Sequence, residues 1–295
     1  MTRRAILVGM LVLAMGCSKP PVITDPVPPV VATADHRAVL AGINDYLDAP
    51  LEGCINDIVD AKDYLINVEG FKPEQIVVLI DAQASRNGIM EKLRWLTADA
   101  KAGDRRYFHF SGHGTEFAGR DTEKQPDGLN QVICPWDFDW VPEKMIMDVD
   151  FVDIFKTMPK GVIFNWASDS CHSGDLTRQM PKPKVKPRQY PRVPADVQAQ
   201  IKKAKAANIK SRGFEGGLLD VGFVSGCKFN QTSADAFEGG RPCGAMTYFL
   251  FQILREKKGQ TLDEVAAELR NRLIANGYEQ EPQAEGARKG KPFLK

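Results

Sequence analysis

From His36 onward the chain alternates short apolar runs with longer stretches of helical period. Ala38 to Ile43 is an apolar run of strand length, and Gln75 to Asp81 is another. Between them, Leu51 to Val68 repeats apolar residues at helical spacing and places Leu51, Ile55, Ile58, Val59 and Leu65 on one face. Ile89, Leu93, Leu96 and Ala100 mark a second amphipathic helix, with Ser85 placed to cap it. Strands ending at Phe110 and Ala167 follow, with a helix over Val149 to Met158 between them, and Leu218 to Gly226 predicts a further strand. Helices over Met246 to Glu256 and Leu262 to Ala275 close the pattern, the last opened by Thr261 and Glu264 as a capping box. This alternation implies an α/β fold with a mostly parallel central sheet flanked by helices, a three-layer sandwich.

Two segments break the pattern. Lys19 to Asp35 carries five prolines interleaved with valines, which predicts an extended tether with little capacity to pack. Met180 to Pro194 holds five more prolines among lysines and arginines, and Asp196 to Lys210 then reads as a short basic helix. As a solvated linker this stretch needs no further role; as an exposed loop it is open to cleavage after Lys or Arg. Ahead of the tether, Arg3 and Arg4 precede an apolar core, Ala5 to Leu13, and then Ala14-Met15-Gly16-Cys17, the pattern of an export signal. The resulting division is 1–17 leader, 18–35 tether, 36–178 large region, 179–213 basic linker and 214–295 small region.

Composition narrows the function. About 260 residues follow the tether, with 43% hydrophobic and 26% charged residues over the whole chain, enough for one sizeable core. A net charge of +1 argues against nucleic acid as a partner. Cys134, Cys227 and Cys243 lack the CxxC or Cys/His spacing of a zinc site. In an oxidising compartment Cys134 and Cys243 are candidates to pair, with the connectivity left open.

The chemistry concentrates at two strand ends. Gly161 to Gly174, GVIFNWASDSCHSG, runs from an apolar strand into a turn that presents Cys171 among small residues, and Ser111-Gly112-His113-Gly114 ends another apolar run. A thiol needs a neighbouring base to become a useful nucleophile near neutral pH, and His113 is placed to serve. The backbone N–H groups of Gly114 and Cys171 are candidates for an oxyanion hole.

At these residues the chain resembles the metacaspase branch of the caspase-fold peptidases. SGHG and DSCHSG match that family's histidine and cysteine motifs, RAVLAGINDYLDAPLEGCINDIVD at Arg37 to Asp60 resembles its opening strand and helix, and SGCKFNQTSADAF at Ser225 to Phe237 its small-subunit strand. The resemblance runs from about Arg37 to Phe293 and implies a caspase-like three-layer sandwich. It implies a cysteine endopeptidase with His113 and Cys171 catalytic, acting on proteins or peptides as a monomer. The alternative is a lipid-anchored relative without turnover, but the intact Cys and His favour the enzyme. Gingipain- or legumain-like peptidases fit the small-subunit block less well.

The resemblance also implies a specificity pocket lined by Cys54, Asp57, Ser111 and Asp169. Cys54 and Asp57 lie three apart on the first helix and so share a face. Two carboxylates in a partly desolvated pocket favour a guanidinium or ammonium, so cleavage after Arg or Lys is expected and cleavage after Asp is not. Some members cut themselves in the basic linker and others work uncut. Many members use calcium. Here Asp127 and Asp148 match two of its ligand positions, while Val149 and Arg178 stand where further carboxylates would, so no cofactor is expected to be required and a calcium site is expected to be weak or absent. By resemblance to lipoprotein signals, Cys17 becomes the lipidated N-terminus, which places the domain on a bacterial, outer-membrane surface.

Overall fold

The computed structural model describes residues 34–118, 129–171, 185–206, 220–228 and 231–295. Its centre is a six-stranded sheet in the order β12-β9-β7-β3-β1-β2. The strands are β1 (His36–Gly42), β2 (Ile76–Ile80), β3 (Arg105–Ser111), β7 (Ile163–Asp169), β9 (Val221–Ser225) and β12 (Gln283–Glu285). All neighbours run parallel except β12, which pairs antiparallel with β9 at one edge. Parallel neighbours need long crossovers, and the amphipathic helices supply them.

Alternation along the strands divides the core into two layers. Val39, Ala41, Phe108, Phe110, Phe164, Trp166 and Phe223 pack on α2 (Arg86–Thr97) and α3 (Asp148–Phe155). Ala38, Leu40, Tyr107, Ala167 and Val224 face the other way, onto α1 (Cys54–Asn67), α5 (Ala245–Glu256) and α6 (Leu262–Ala275). Burial on both faces explains why these strands read as unbroken apolar runs rather than alternating ones. The predicted caps form: Ser85 Oγ accepts the Gly88 N–H at 3.3 Å, and Thr261 and Glu264 bond reciprocally.

Several boundaries differ from the sequence expectations. The first helix begins at Cys54, not Leu51, and its buried face is Cys54, Asp57, Ile58, Ala61, Tyr64 and Leu65, with Val59 55% exposed. The apolar stripe misled because a charged residue, Asp57, takes a core position. Helix α2 stops at Thr97, short of Ala100, and α3 at Phe155, short of Met158. Two small sheets were not expected. One joins β4 (Gly114–Ala118), β5 (Leu129–Ile133) and β6 (Ile146–Met147), and the other joins β8 (Lys186–Pro187), β10 (Ala234–Glu238) and β11 (Arg241–Gly244). In the basic linker, α4 (Ala195–Ala206) buries Val197, Ile201 and Ala204 against Ala118 and Leu129. No helix among the described residues is long and apolar enough to cross a membrane.

Candidate active site

Sheet register gathers the site. Gly42 of β1 lies level with Ser111 of β3, and Ser111 with Asp169 of β7, so three parallel strands end together. Carboxyl ends of parallel strands are where loops converge without competing for ladder hydrogen bonds. The first residues of α1 and α5 close over this edge. Thr247, in the first turn of α5, donates its N–H at 2.9 Å and its hydroxyl at 2.8 Å to Asp169 Oδ2. The positive end of that helix thus supports a carboxylate that the sheet has buried.

The four expected pocket residues come together, and the pocket they form is filled by Arg188 of the linker. Arg188 is fully buried. Its Nη1 donates to Ser111 Oγ at 2.7 Å and lies 2.8 Å from Asp57 Oδ2 and 3.3 Å from Asp169 Oδ2, while Nη2 lies 3.0 Å from Asp235 Oδ1. Asp57 is held further by the Ser111 hydroxyl at 2.6 Å and the Gly244 N–H at 2.8 Å. Burial raises the Asp57 carboxyl, Arg188 pulls against that rise and the neighbouring Asp169 carboxylate adds to it, which together leave it at about 7. Burial likewise raises the Cys54 thiol, with Arg188 as its chief opposing charge. Gly244 is required for contact: a Cβ there would meet Arg188 Nη1 and both pocket carboxylates.

The main chain of Arg188 is held as firmly as its side chain. Its carbonyl oxygen accepts the N–H groups of Gly114 at 3.0 Å and Cys171 at 3.2 Å, the two donors singled out in the sequence. Its own N–H donates to Ser233 O at 3.0 Å, and the preceding Lys186 and Pro187 pair antiparallel with β10. After it, the Tyr190 N–H returns to Gly114 O at 3.0 Å. A segment of the chain therefore lies across the strand ends in extended form, its arginine inward.

His113 and Cys171 flank that carbonyl without bonding to each other. His113 Nε2 lies 2.7 Å from Ala49 O, which can only accept, so Nε2 carries the proton and Nδ1 is left as an acceptor. Nδ1 is buried and has no hydrogen-bond partner among the described residues. Burial, the largest influence, lowers His113 to about 4. The Cys171 sulfur accepts the Ser233 N–H at 2.8 Å and lies 3.4 Å from Ser233 O. Burial, with Cys227 alongside, raises its pKa well above that of a free thiol. Neutral thiol and neutral imidazole are the favoured forms in this closed arrangement.

Cys134 and Cys243 are free thiols, which corrects the suggested pairing. Cys134 follows β5, with Tyr46 bonded to its carbonyl, whereas Cys243 sits on β11 in the other small sheet. Asp148 is the first residue of α3, its oxygens accepting the Val149 and Gln131 N–H groups, and Val149 beside it is buried and apolar. Among the described residues there is no cluster of three His, Cys, Asp or Glu side chains placed to hold a metal ion. Cys17, Asp127, His172 and Arg178 lie outside the described residues.

Arg188, Asp235, Ser233, Thr247 and Gly244 were not singled out from the sequence. Ser233 and Asp235 do fall inside the SGCKFNQTSADAF block, and Arg188 inside the basic linker. The signal was present as a segment, but no spacing rule assigns a residue so distant in sequence to the same pocket.

Residues 36–179 match the family model described as "Metacaspase, peptidase C14 domain". Metacaspase-1 of Candida glabrata is 32% identical over 288 residues, covering 85% of this chain and 72% of that protein. Metacaspase-1 of Scheffersomyces stipitis is 31% identical over 290 residues, covering 84% and 69%. In fold, a crystal structure of a protein from Geobacter sulfurreducens matches with a TM-score of 0.61 at 21% identity, over 88% of this chain and 98% of that one. This similarity, extending over most of both chains, places the chain in the metacaspase family of cysteine-type peptidases.

Proposed function

We propose that the chain is an endopeptidase that cleaves after Arg or Lys through Cys171 and His113. The observation that carries this reading is Arg188, whose guanidinium meets Asp57, Ser111, Asp169 and Asp235 while its carbonyl oxygen sits on the Gly114 and Cys171 N–H groups. The linker thus lies as a substrate would, with the Arg188–Gln189 bond over the catalytic pair.

For the reaction, the Cys171 sulfur leaves Ser233, gives its proton to His113 Nδ1 and attacks the arginine carbonyl carbon. The oxyanion is held by the two N–H donors. The C–N bond breaks as His113 returns the proton to the departing amine, leaving a thioester. Water, deprotonated by His113, adds to it and releases a carboxylate and the thiol. Ala49 keeps the proton on Nε2 throughout, so Nδ1 alone works. The closed site slows the first proton transfer, because burial lowers the base and raises the acid. No step needs calcium.

The test is the purified chain and its Cys171→Ala variant against arginyl, lysyl and aspartyl fluorogenic peptides, with calcium and with chelator, together with mass analysis of the linker. Turnover after Arg or Lys, a cut between Arg188 and Gln189, and loss of both in the variant are expected. Arginyl turnover that survives in the variant, or cleavage confined to aspartyl peptides, would refute the reading. Strong activation by calcium would refute its calcium part. The leader residues Arg3 to Cys17 support export and lipid attachment at Cys17. Loss of membrane-fraction protein in a Cys17→Ala variant tests that.

A further inference from the structure

The segment in the arginine pocket continues beyond the bond that would be cut, into a second receiving surface. Tyr190, two residues after Arg188, is 8% exposed. Its ring lies against Phe138 at 4.5 Å between centroids, His113 at 5.6 Å, and Tyr46 and Trp140 at 6.2 Å each, the last three edge-on. These are separations and tilts at which aromatic quadrupoles attract.

The box does not depend on its occupant. Tyr46 is fixed by its hydroxyl, which donates to Cys134 O at 2.8 Å and accepts the His113 N–H at 3.0 Å. Phe138 closes a turn onto Pro135 O and packs edge-on with Trp140 at 5.2 Å. Nor is the register accidental. Gly114 donates to the Arg188 carbonyl and accepts from the Tyr190 N–H, so it grips the chain on both sides of the Arg188–Gln189 bond. Any peptide whose carbonyl takes the same two N–H donors has its second leaving-side residue delivered to this box.

Two residues further on, Arg192 Nη1 lies 3.3 Å from Asp48 Oδ1. It borders a cavity of about 590 Å³ whose lining includes Asp45, Asp48 and Asp139. An acidic rim next to an aromatic floor suits a cation at that position, though an exposed pair contributes little and is weakened by salt.

We propose that this surface is a leaving-side substrate subsite, selecting Tyr or Phe as the second residue after the cleaved bond and favouring Lys or Arg as the fourth. The proposal rests on the arginine reading of the pocket above. Preferred substrates are then peptides of the order arginine, any residue, aromatic, any residue, basic. The subsite acts before the leaving fragment departs, so it accelerates acylation and has no part in thioester hydrolysis.

The test uses the full chain and internally quenched peptides that share Val-Lys-Pro-Arg before the bond and carry Gln-Tyr-Pro-Arg after it. In companion peptides Phe or Ala replaces the Tyr, or Glu replaces the final Arg. The coumarin amide of Val-Lys-Pro-Arg, which has no leaving-side residues, reports the arginine pocket alone. Tyr and Phe peptides are expected to exceed Ala in kcat/KM by about ten-fold, as suits one seated ring. Phe138→Leu should shrink that ratio, a readout normalised within each enzyme. The Arg-over-Glu preference should fall with added salt. Equal kcat/KM for Tyr and Ala, with the coumarin amide still cleaved, overturns the subsite and leaves the arginine reading standing. No cleavage of the coumarin amide or of any arginyl peptide overturns both.

Discussion

If the linker occupies the cleft, removing its anchor must open it. The perturbation is Arg188→Ala in a Cys171→Ala background, where no cleavage complicates the comparison. Arg188 is fully buried and faces three carboxylates and the Ser111 hydroxyl. Breaking such a buried pair costs about 3–5 kcal/mol, or on the order of 100- to 4,000-fold in a docking equilibrium at about 1.4 kcal/mol per decade. Part of this is offset. Water can enter once the side chain is gone, and Asp57, already pushed up to about 7, can take a proton. The linker also keeps its backbone bonds to Gly114, Cys171 and Ser233. A net gain near the lower figure is therefore expected: a fluorescent arginyl peptide should bind about 100-fold more tightly to the double variant than to Cys171→Ala alone. Arg188→Lys should fall between, because one ammonium cannot bridge carboxylates on both sides as a guanidinium does. Fluorescence anisotropy across a peptide titration measures all three. Equal affinities would show that the linker does not compete for the pocket in solution, and would sink the reasoning.

Asp235→Asn removes the charge opposite Nη2 and should lower the ratio of arginyl to lysyl kcat/KM by about ten-fold, the scale of one charge-assisted hydrogen bond. Paired substrates assayed on one enzyme preparation measure it, and an unchanged ratio would remove Asp235 from the pocket. Gly244→Ala puts a methyl where Arg188 and the carboxylates meet, so arginyl kcat/KM should drop by about ten- to a hundred-fold with the circular dichroism spectrum unchanged. Full activity would mean that arginine binds elsewhere. His109, fully buried between Tyr107 and Thr247, is held down to about 4 by burial. Its neutral form favours the fold, so this contribution is complete above about pH 6.5 and is lost as pH falls towards 4, when the unfolded chain takes up the proton first. In Cys171→Ala, urea unfolding at about pH 7 and about pH 4.5 should differ by about 2.5 kcal/mol on this account. His109→Gln should reduce the difference by about that amount, leaving the share that the likewise buried His113 contributes, and an equal slope in the two proteins would contradict the assignment.

What could be read early followed from local rules. The parallel-sheet strands are buried on both faces, so they stand out as apolar runs, and the capped helices announce their own ends. Short strands such as β4, β5, β10 and β11 carry no such pattern, because their pairing partners define them. The same division holds at the site. His113 and Cys171 were legible because each closely follows a strand that its own apolar run announces. The α1 face was misjudged because Asp57 is buried by partners from β3, β11 and the linker, and no helical periodicity contains them.

The sequence alone determined the α/β alternation, the two strand-end motifs and a basic, proline-rich segment between the two regions. Only the tertiary structure decided that Arg188 of that segment sits among Asp57, Asp169 and Asp235, with its carbonyl on Gly114 and Cys171 and Tyr190 in an aromatic box. Local patterning is set by each residue's near neighbours along the chain. A buried charge, by contrast, is stable only where partners from distant segments converge, and that convergence is a property of the folded sheet.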